Sequence, residues 1–338
     1  MLKLSKLTIL LIGFILSTAS FAEQKTLRVA AWLPPSHPQN SIVWPTWAKW
    51  VEEATQGRVV VEMEYGMGHP KTMFDLVEDG VADVSFSYHG YVPGRFKLTQ
   101  IVEQPLLGVG AEAASVAHWR IHQKYLKGAG EHEGLEVIAL FTHGPGQIQM
   151  RKPINSIAEL KGKKIRLGGG VQGELGHRMG VTSVGAPAPK VYEMMQQGVI
   201  DGAFIPLAEQ KFLRLKEVAT NIIALPTGMY LGSFSIFMNP EFLEEIAPKD
   251  REAILSVSGE KLSALAGKTW DEADSAGLTA AKDADVNITF INEEDSIYLE
   301  FLELTKGMEE EFHKTVSSRG VNTRAALEEL KDIARNYH

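Results

Sequence analysis

The residue best suited to bind a charged small molecule is Arg166, which ends the run Lys163-Lys-Ile-Arg166. Alternation along a strand would point Lys164 and Arg166 to one face. A guanidinium presents a rigid fork that matches a carboxylate through two parallel hydrogen bonds. Glycines 168–170 follow at once and leave room for a ligand beside the backbone. On these residues alone, the favoured alternative is an exposed arginine on an edge strand.

A second group of candidates combines aromatic, imidazole and cationic side chains near the ends of predicted strands, a mixture that suits an organic anion. Its members are Trp32, His37, Tyr88, His89, Arg95, Arg151, Phe204 and Tyr230. Five of them have a structural alternative. His37 could cap the next helix, Arg95 could pair with an acid, and Arg151 could be a solvated hinge charge. Phe204 and Tyr230 could belong to the core, where aromatic residues of α/β strands commonly lie.

The pattern Gly168-x-Gly170-x-x-Gly173 matches the dinucleotide fingerprint, with Glu193 about 20 residues further on. It would make the chain an exported NAD-dependent oxidoreductase. Three features oppose this interpretation. The motif lies deep in the chain, an exported protein meets little free nicotinamide cofactor, and Arg166 stands where the motif favours apolar residues. A helix N-terminus after these glycines would still favour an anion.

Other catalytic and metal-binding patterns are absent from the sequence. It contains no His-Glu-x-x-His, Gly-x-Ser-x-Gly, P-loop or EF-hand motif, and His132, Glu133 and His143 have no recognisable ligand partners in sequence. The absence of cysteine removes disulfides, thiolate nucleophiles and Cys metal sites. We therefore expect no catalytic residue, no metal and no cofactor.

The elements that position the candidates alternate between strand and helix. The first hundred residues are predicted to be β-α-β-α-β, and the alternation returns over residues 135–205. The two stretches share a helix that ends at glycine and an aspartate that opens a short strand: Gly80-x-x-Asp83 and Gly198-x-x-Asp201. This repetition predicts two similar α/β lobes. Ligands of such sheets bind outside the carboxyl ends of the strands, so the loops after Phe86 and Phe204 should face one cleft.

The last third of the chain is predicted to be helical. One long helix is expected over Pro248–Asp283, and after a short strand two more run from about Asp295 to Ser317 and from Thr323 to the end. Residues 23–145 should form mainly the first lobe and residues 146–240 mainly the second. Residues 241–338 should form long helices that brace both lobes.

The N-terminus has the layout of a secretory signal peptide, with Lys3 and Lys6, an apolar run over residues 7–16, and small residues before a cleavage site after Ala22. The run is about half the length of a membrane-spanning helix. Removing residues 1–22 removes two lysines and leaves 32 basic against 42 acidic residues. This acidic balance, without any Lys/Arg-rich run, argues against binding to nucleic acid or an anionic membrane.

Several of these features together resemble the substrate-binding subunits of TRAP transporters, the DctP-like family (solute-binding family 7). They are the signal peptide, the first strand and turn, the helix-Gly-x-x-Asp turn, the block from Pro153 to Arg166, and the later Val199–Pro206. The resemblance covers nearly the whole mature chain and is most specific over residues 153–206. It implies a periplasmic binding protein fold of two lobes with a long helix across both.

The resemblance also implies a function and a site. Members of the family bind organic acids, mostly carboxylates, and deliver them to an integral-membrane permease driven by a sodium gradient. The family's carboxylate-binding arginine corresponds to Arg166. Sialic-acid-binding members carry an asparagine where this chain has Ile205, so a less hydroxylated ligand is expected, aromatic or short-chain. The binding protein of an ATP-driven importer is the alternative, with the same lobes and location, while the long C-terminal helix favours the TRAP type.

Overall fold

The structure is a computed structural model that describes residues 24–337, so the expected signal peptide lies outside the described residues. Within this range no helix is long and apolar enough to cross a membrane. Its strands are β1 (Lys25–Ala31), β2 (Val59–Tyr65), β3 (Val84–Tyr88), β4 (Glu136–Thr142), β5 (Gly146–Met150), β6 (Lys164–Leu167), β7 (Thr182–Gly185), β8 (Gly202–Pro206), β9 (Asn221–Ala224), β10 (Ser233–Met238) and β11 (Asn287–Phe290). Its α-helices are α1 (Trp44–Thr55), α2 (Met73–Glu78), α3 (Ala111–Ile121), α4 (Val171–Arg178), α5 (Val191–Gln196), α6 (Glu209–Phe212), α7 (Pro240–Glu245), α8 (Pro248–Ser256), α9 (Glu260–Asp283), α10 (Ser296–Thr305), α11 (Met308–Thr315) and α12 (Thr323–Arg335).

The strands form two sheets of matching order. The first is β2-β1-β3-β10-β4, and the second is β7-β6-β8-β5-β9 with β11 added at its edge. In each sheet the first three strands are parallel and the fourth runs antiparallel to them. The expected fold of two similar α/β lobes is confirmed.

The repeated Gly-x-x-Asp unit has the same structural role in both lobes. Asp83 accepts a hydrogen bond from the backbone N–H of Arg28 at 2.7 Å, and Asp201 accepts one from that of Lys164 at 2.9 Å. Each carboxylate therefore ties the start of one parallel strand to its neighbour, β3 to β1 and β8 to β6. This shared contact is the physical reason for the repetition in the sequence.

The chain returns to the first lobe before residue 240. β10 lies between β3 and β4 in the first sheet and pairs antiparallel with both. All six of its residues are buried, as expected of a central strand covered on both faces. The range 146–240 thus contributes to both sheets, while β11, from the helical last third, extends the second.

Two of the predicted long helices are each broken by a glycine, so the prediction of unbroken helices there was wrong. The helix expected over residues 248–283 is divided into α8 and α9 at Gly259, whose φ is +64° and whose N–H bonds to the carbonyl of Ile138 at 2.7 Å. The helix expected from about residue 295 to 317 is divided into α10 and α11 at Gly307, with φ +81°. Glycine adopts this left-handed conformation without the cost that a side chain adds.

Helix α9 braces both lobes through two aspartates one turn apart. Asp271 accepts hydrogen bonds from the N–H groups of Ala111 and Glu112, at 2.7 and 2.9 Å, and so caps α3 beside the first sheet. Asp274 accepts one from the N–H of Ala208 at 2.7 Å, in the segment that follows β8 of the second sheet. Burial raises the pKa of both carboxyls, that of Asp274 strongly. The expected bracing by a C-terminal helix is confirmed.

Candidate functional site

A small buried cavity lies between the two sheets, where the segments after β1, β3, β6 and β8 meet. Its free volume for water-sized molecules is about 30 Å³. A larger groove of about 570 Å³ lies on the surface between α11 and α12, but its charged side chains are exposed or half-exposed. The cavity is instead lined by side chains that both lobes bury: Trp32, Leu33, Tyr88, Tyr91, His143, Arg166, Gln172, Ala188, Ile205, Pro206, Glu209, Tyr230, Phe234 and Trp270.

Of the residues that the structure describes, Arg166 is the only arginine or lysine that lines this cavity, and it is 3 % exposed. Its Nε donates to the carbonyl of Ala186 at 2.8 Å, which fixes the plane of the guanidinium. Its two terminal nitrogens make only long contacts, to the carbonyl of Phe204 at 3.4 Å and the hydroxyl of Tyr91 at 3.5 Å. Among the described residues, no carboxylate forms an ion pair with Arg166. A buried cation of this kind calls for an anion.

Aromatic rings, with the imidazole of His143, account for seven of the fourteen residues that line the cavity. Trp32 stacks on Phe86 with ring centroids 4.8 Å apart and donates its indole N–H to the carbonyl of Phe86 at 2.7 Å. Tyr88 and Tyr91 meet edge to face at 5.2 Å. These locked rings offer a flat, apolar surface beside the guanidinium.

The two lobes lie closed on each other around the cavity. The hydroxyl of Tyr88 donates to the carbonyl of Gly169 at 3.0 Å, and the N–H of Ala188 donates to the hydroxyl of Tyr91 at 2.9 Å. A third bond runs from the N–H of Val171 to the carboxylate of Glu103 at 2.8 Å. In each case a first-lobe side chain is bonded to second-lobe backbone.

The glycines of the dinucleotide-like pattern serve this closure. A Cβ added to Gly169 would lie 2.0 Å from the carbonyl oxygen of Gly90, and one added to Gly170 would lie 2.2 Å from Glu103. The first N–H of α4 is occupied by Glu103, whose other oxygen accepts from the N–H of Ser233 at 2.9 Å. Burial raises the pKa of Glu103 to about 7, although both backbone bonds favour the charged form. The acceptor at this helix N-terminus is therefore the chain's own carboxyl group.

Several buried polar atoms at the cavity have no hydrogen-bond partner within the described residues. They are the hydroxyl of Tyr230, the indole N–H of Trp270, one carboxylate oxygen of Glu209, and Nε2 of the adjacent His37. Burial raises the pKa of Tyr230, so its hydroxyl stays protonated. Burial also lowers the pKa of His143 to about 4, which keeps that imidazole neutral at pH 7.

The structure brings four of the nine candidates from the sequence into this cavity. Trp32, Tyr88, Arg166 and Tyr230 line it. Phe204 is fully buried in the core of the second lobe, although its carbonyl faces Arg166. His37 lies just behind the wall, with its ring 5.0 Å from that of Trp270.

The structure does not bring the remaining candidates into the cavity. His89 is buried inside the first lobe, where its Nδ1 lies 2.9 Å from the Ser233 hydroxyl and its Nε2 2.9 Å from His132. Arg151 is exposed beyond the end of β5 that is remote from the cavity. Arg95 pairs with Glu78, which is its structural alternative.

Sequence reasoning missed several residues of the wall, chiefly Tyr91, Gln172, Glu209, Phe234 and Trp270. Tyr91 and Glu209 each lie three residues after their strands, β3 and β8, in the loops expected to face the cleft, so position alone could have identified them. Trp270 lies on α9 and gives no local signal, since only the crossing of that helix brings it here. Within residues 24–337, no group of three His, Asp or Glu side chains could hold a metal ion.

Comparison with known proteins agrees with this architecture. The family model described as bacterial extracellular solute-binding protein, family 7 (DctP), matches residues 29–300. The chain is 31 % identical over 317 residues to a protein of Comamonas testosteroni named outer membrane transporter protein TsaT, covering 93 % of each chain.

Two solved structures show the same fold. A TRAP periplasmic solute-binding protein from Bordetella bronchiseptica, with bound (R)- and (S)-mandelate, has 30 % identity and a TM-score of 0.89, covering 93 % of this chain and 99 % of that one. A TRAP solute-binding protein from Rhodoferax ferrireducens, with copurified benzoate, has 26 % identity and a TM-score of 0.85, covering 92 % and 97 %.

Proposed function

Because this chain belongs to family 7 of the bacterial extracellular solute-binding proteins, we propose that it captures a small aromatic carboxylate between its lobes and delivers it to a TRAP permease in the membrane. The family consists of transport binding proteins rather than enzymes, which sets aside the oxidoreductase interpretation. The ligand class and the roles of single residues are our proposal.

The buried guanidinium of Arg166 carries this proposal. Its Nε is bonded to backbone, its terminal nitrogens make only long contacts, and no described carboxylate lies within ion-pair distance of it. A ligand carboxylate would accept two charge-assisted hydrogen bonds from these terminal nitrogens. The Tyr230 hydroxyl and the Trp270 indole N–H are further donors in the same wall that lack partners.

The wall supports an aromatic ligand rather than a sugar acid. The rings of Trp32, Tyr88 and Tyr91 lie near Arg166. Ile205 adds apolar surface at the position where sialic-acid-binding members of the family carry an asparagine. The similar proteins from Bordetella bronchiseptica and Rhodoferax ferrireducens were solved with mandelate and benzoate, both aromatic monocarboxylates.

Binding requires the lobes to open and then close around the ligand. The free volume of about 30 Å³ is well below the roughly 150 Å³ of an engineered cavity that binds benzene. We therefore expect the ligand-bound form to be slightly wider than the closed form described here. Closure would remove water from the ion pair of Arg166 and the ligand, which strengthens their attraction, and would create the surface that the permease recognises.

Membership of family 7 also supports export of the protein and a membrane permease as its partner. Family 7 proteins are extracytoplasmic, and we infer that residues 1–22 are a signal peptide removed after Ala22, which leaves a periplasmic protein. The solved relatives are TRAP proteins, which favours a TRAP permease over an ATP-driven importer. A gene for a large integral-membrane permease beside this one, without an ATPase gene, would support that choice.

The test is calorimetric titration of the exported protein, whose intact mass also shows whether the chain begins at Glu23. We expect benzoate and mandelate to bind and to raise the thermal midpoint by mass action. Galactonate, a hydroxylated sugar acid, should bind at least about 10-fold more weakly because the apolar wall leaves its hydroxyls unpaired. Binding of galactonate or NAD, with none of any aromatic acid, would refute the proposal.

A further inference from the structure

A carboxylate lines the same cavity as the carboxylate-binding arginine. Glu209 is 2 % exposed, and its Oε2 has no partner within the described residues. Its Oε1 lies 3.7 Å from Nε2 of His37, which is beyond hydrogen-bond distance. A buried carboxylate left without hydrogen bonds is costly, so its persistence here needs an explanation.

The ligand carboxylate cannot supply what Glu209 lacks. The unpaired groups of Tyr230 and Trp270 can donate to the ligand carboxylate, as can the terminal nitrogens of Arg166. Glu209 in its ionised form is an acceptor only, like the ligand carboxylate itself. When the ligand carboxylate engages those donors, the free oxygen of Glu209 is left for a donor on another part of the ligand.

We propose that Glu209, positioned by His37, selects organic acids that carry a hydrogen-bond donor, a hydroxyl or an ammonium, in addition to the carboxylate. This inference rests on the proposed function, because it assigns the second polar contact of the same ligand. Arg166 binds the carboxylate, the aromatic wall holds the ring, and Glu209 accepts the donor.

His37 is placed to hold one oxygen of Glu209 and leave the other for the ligand. Its Nδ1 accepts a hydrogen bond from the N–H of Gln39 at 3.2 Å. That bond leaves the proton of the neutral imidazole on Nε2, which faces Oε1 of Glu209. The ring is held between Trp270, at 5.0 Å, and Phe212, at 5.6 Å. A shift of a few tenths of an ångström would complete the bond.

The expected discrimination is substantial. A hydrogen bond to a charged group is worth about 10–100-fold in affinity, and an acid without the donor would leave Glu209 buried and unpaired. Mandelate and phenylacetate differ only in an α-hydroxyl, and phenylglycine replaces that hydroxyl with an ammonium. 3-Hydroxybenzoate and benzoate form a second pair, with the hydroxyl on the ring.

The experiment measures the dissociation constants of these five acids by calorimetry for the wild type, Glu209→Gln, Glu209→Leu and the matched control Glu252→Gln. Glu252 is an exposed residue of α8, remote from the cavity. Glu209→Gln keeps the shape and one acceptor oxygen, so it serves if the leucine variant folds poorly. His37→Gln tests the positioning role, with the ratio of the two affinities within a pair as its readout.

We expect the wild type to prefer the donor-bearing member of at least one pair by 10-fold or more, and Glu209→Leu to abolish that preference. Glu209→Gln should lose a preference for the acid with an ammonium group but keep part of a preference for the acid with a hydroxyl. This difference identifies which donor Glu209 accepts. The inference is overturned if Glu209→Leu, or Glu209→Gln in its place, weakens both members of every pair equally. If the wild type binds none of the five acids, the proposed function fails as well.

Discussion

Tyr88 and His89 are neighbours in sequence, yet they belong to two buried polar clusters of opposite character. Tyr88 lines the cavity, where hydroxyl, indole and carboxylate atoms lack partners. His89 lies in a chain of hydrogen bonds that runs from His132 through His89 and the Ser233 hydroxyl to His118, each contact 2.9 Å long.

The two clusters are equally buried and differ in whether the protein satisfies its own polar groups. In this histidine chain the bonds join protein to protein, and among its buried atoms only Nδ1 of His118 and of the neighbouring His122 lack a partner within residues 24–337. At the cavity the unpaired atoms surround free volume and a cation. Burial of a polar residue therefore does not mark a binding site, whereas unpaired polar atoms that converge on one space do.

Among tests of this contrast between the cavity and the histidine chain, the largest effect is expected at Arg166. Arg166→Ala should weaken binding of the aromatic acid by at least about 100-fold, because the ligand carboxylate would be buried without its partner. Arg166→Lys should recover little, since an ammonium cannot make the two parallel bonds. Calorimetry measures both. The matched control is Arg151→Ala, an exposed position for which we expect unchanged affinity; equal losses in the two alanine variants would reject the site.

The second prediction concerns the histidine chain, which should affect stability with pH and not affinity. Burial lowers the pKa of His118 to about 3, against 6.5 in an unfolded chain. Below pH 6.5 the unfolded state therefore takes up the proton first, and stability falls as the pH falls towards 3. At pH 5 this amounts to about 2 kcal/mol for one histidine.

Denaturant unfolding at pH 7 and pH 5 checks this, with His118→Gln as the variant. We expect the wild type to lose about 2 kcal/mol more than the variant between the two pH values. The two proteins must be compared because Glu103 also titrates in this range: burial raises its pKa to about 7. Glu103 therefore binds a proton in the folded state as the pH falls, which raises the stability of both proteins and opposes the effect of His118. The prediction fails if the free energy of unfolding changes equally with pH in both proteins, or if His118→Gln weakens ligand binding at pH 7. Either result would mean that the histidine chain is not a purely structural cluster.

The smallest effect is expected at Tyr230. Tyr230→Phe removes a hydroxyl that has no partner in the described residues, so stability should be unchanged or slightly higher. Affinity for the ligand should fall about 5–10-fold, the value of one hydrogen bond. Tyr125→Phe is the control, because its hydroxyl bonds to Glu329 on the protein surface. A loss of stability without a loss of affinity would place Tyr230 with the structural cluster.

The sequence was sufficient for features that depend on local pattern. The paired Gly-x-x-Asp units predicted two lobes because each aspartate acts on the neighbouring parallel strand. Arg166 was singled out by the family resemblance, because its own strand and glycines favoured an exposed arginine, whereas the structure buries it. The breaks at Gly259 and Gly307 were missed because an isolated glycine inside a helical pattern is tolerated and does not by itself mark the end of a helix.

The rest of the cavity depends on contacts between distant segments. Trp270 and Glu209 are 61 residues apart in the chain and meet because α9 crosses both lobes. The placement of His89 failed for another reason. His89 begins the turn that follows β3 instead of continuing the strand, so its ring enters the first lobe. Of these two neighbours, only Tyr88 faces the second lobe.

The three hydrogen bonds that close the lobes have a kinetic consequence. The side chains of Tyr88, Tyr91 and Glu103 each bond to backbone of the second lobe and so hold the two lobes together. No ligand can reach Arg166 until these bonds break, so the opening of the lobes limits both association and dissociation. We expect a receptor built in this way to release its ligand slowly, and more quickly if a membrane partner competes for the same three bonds.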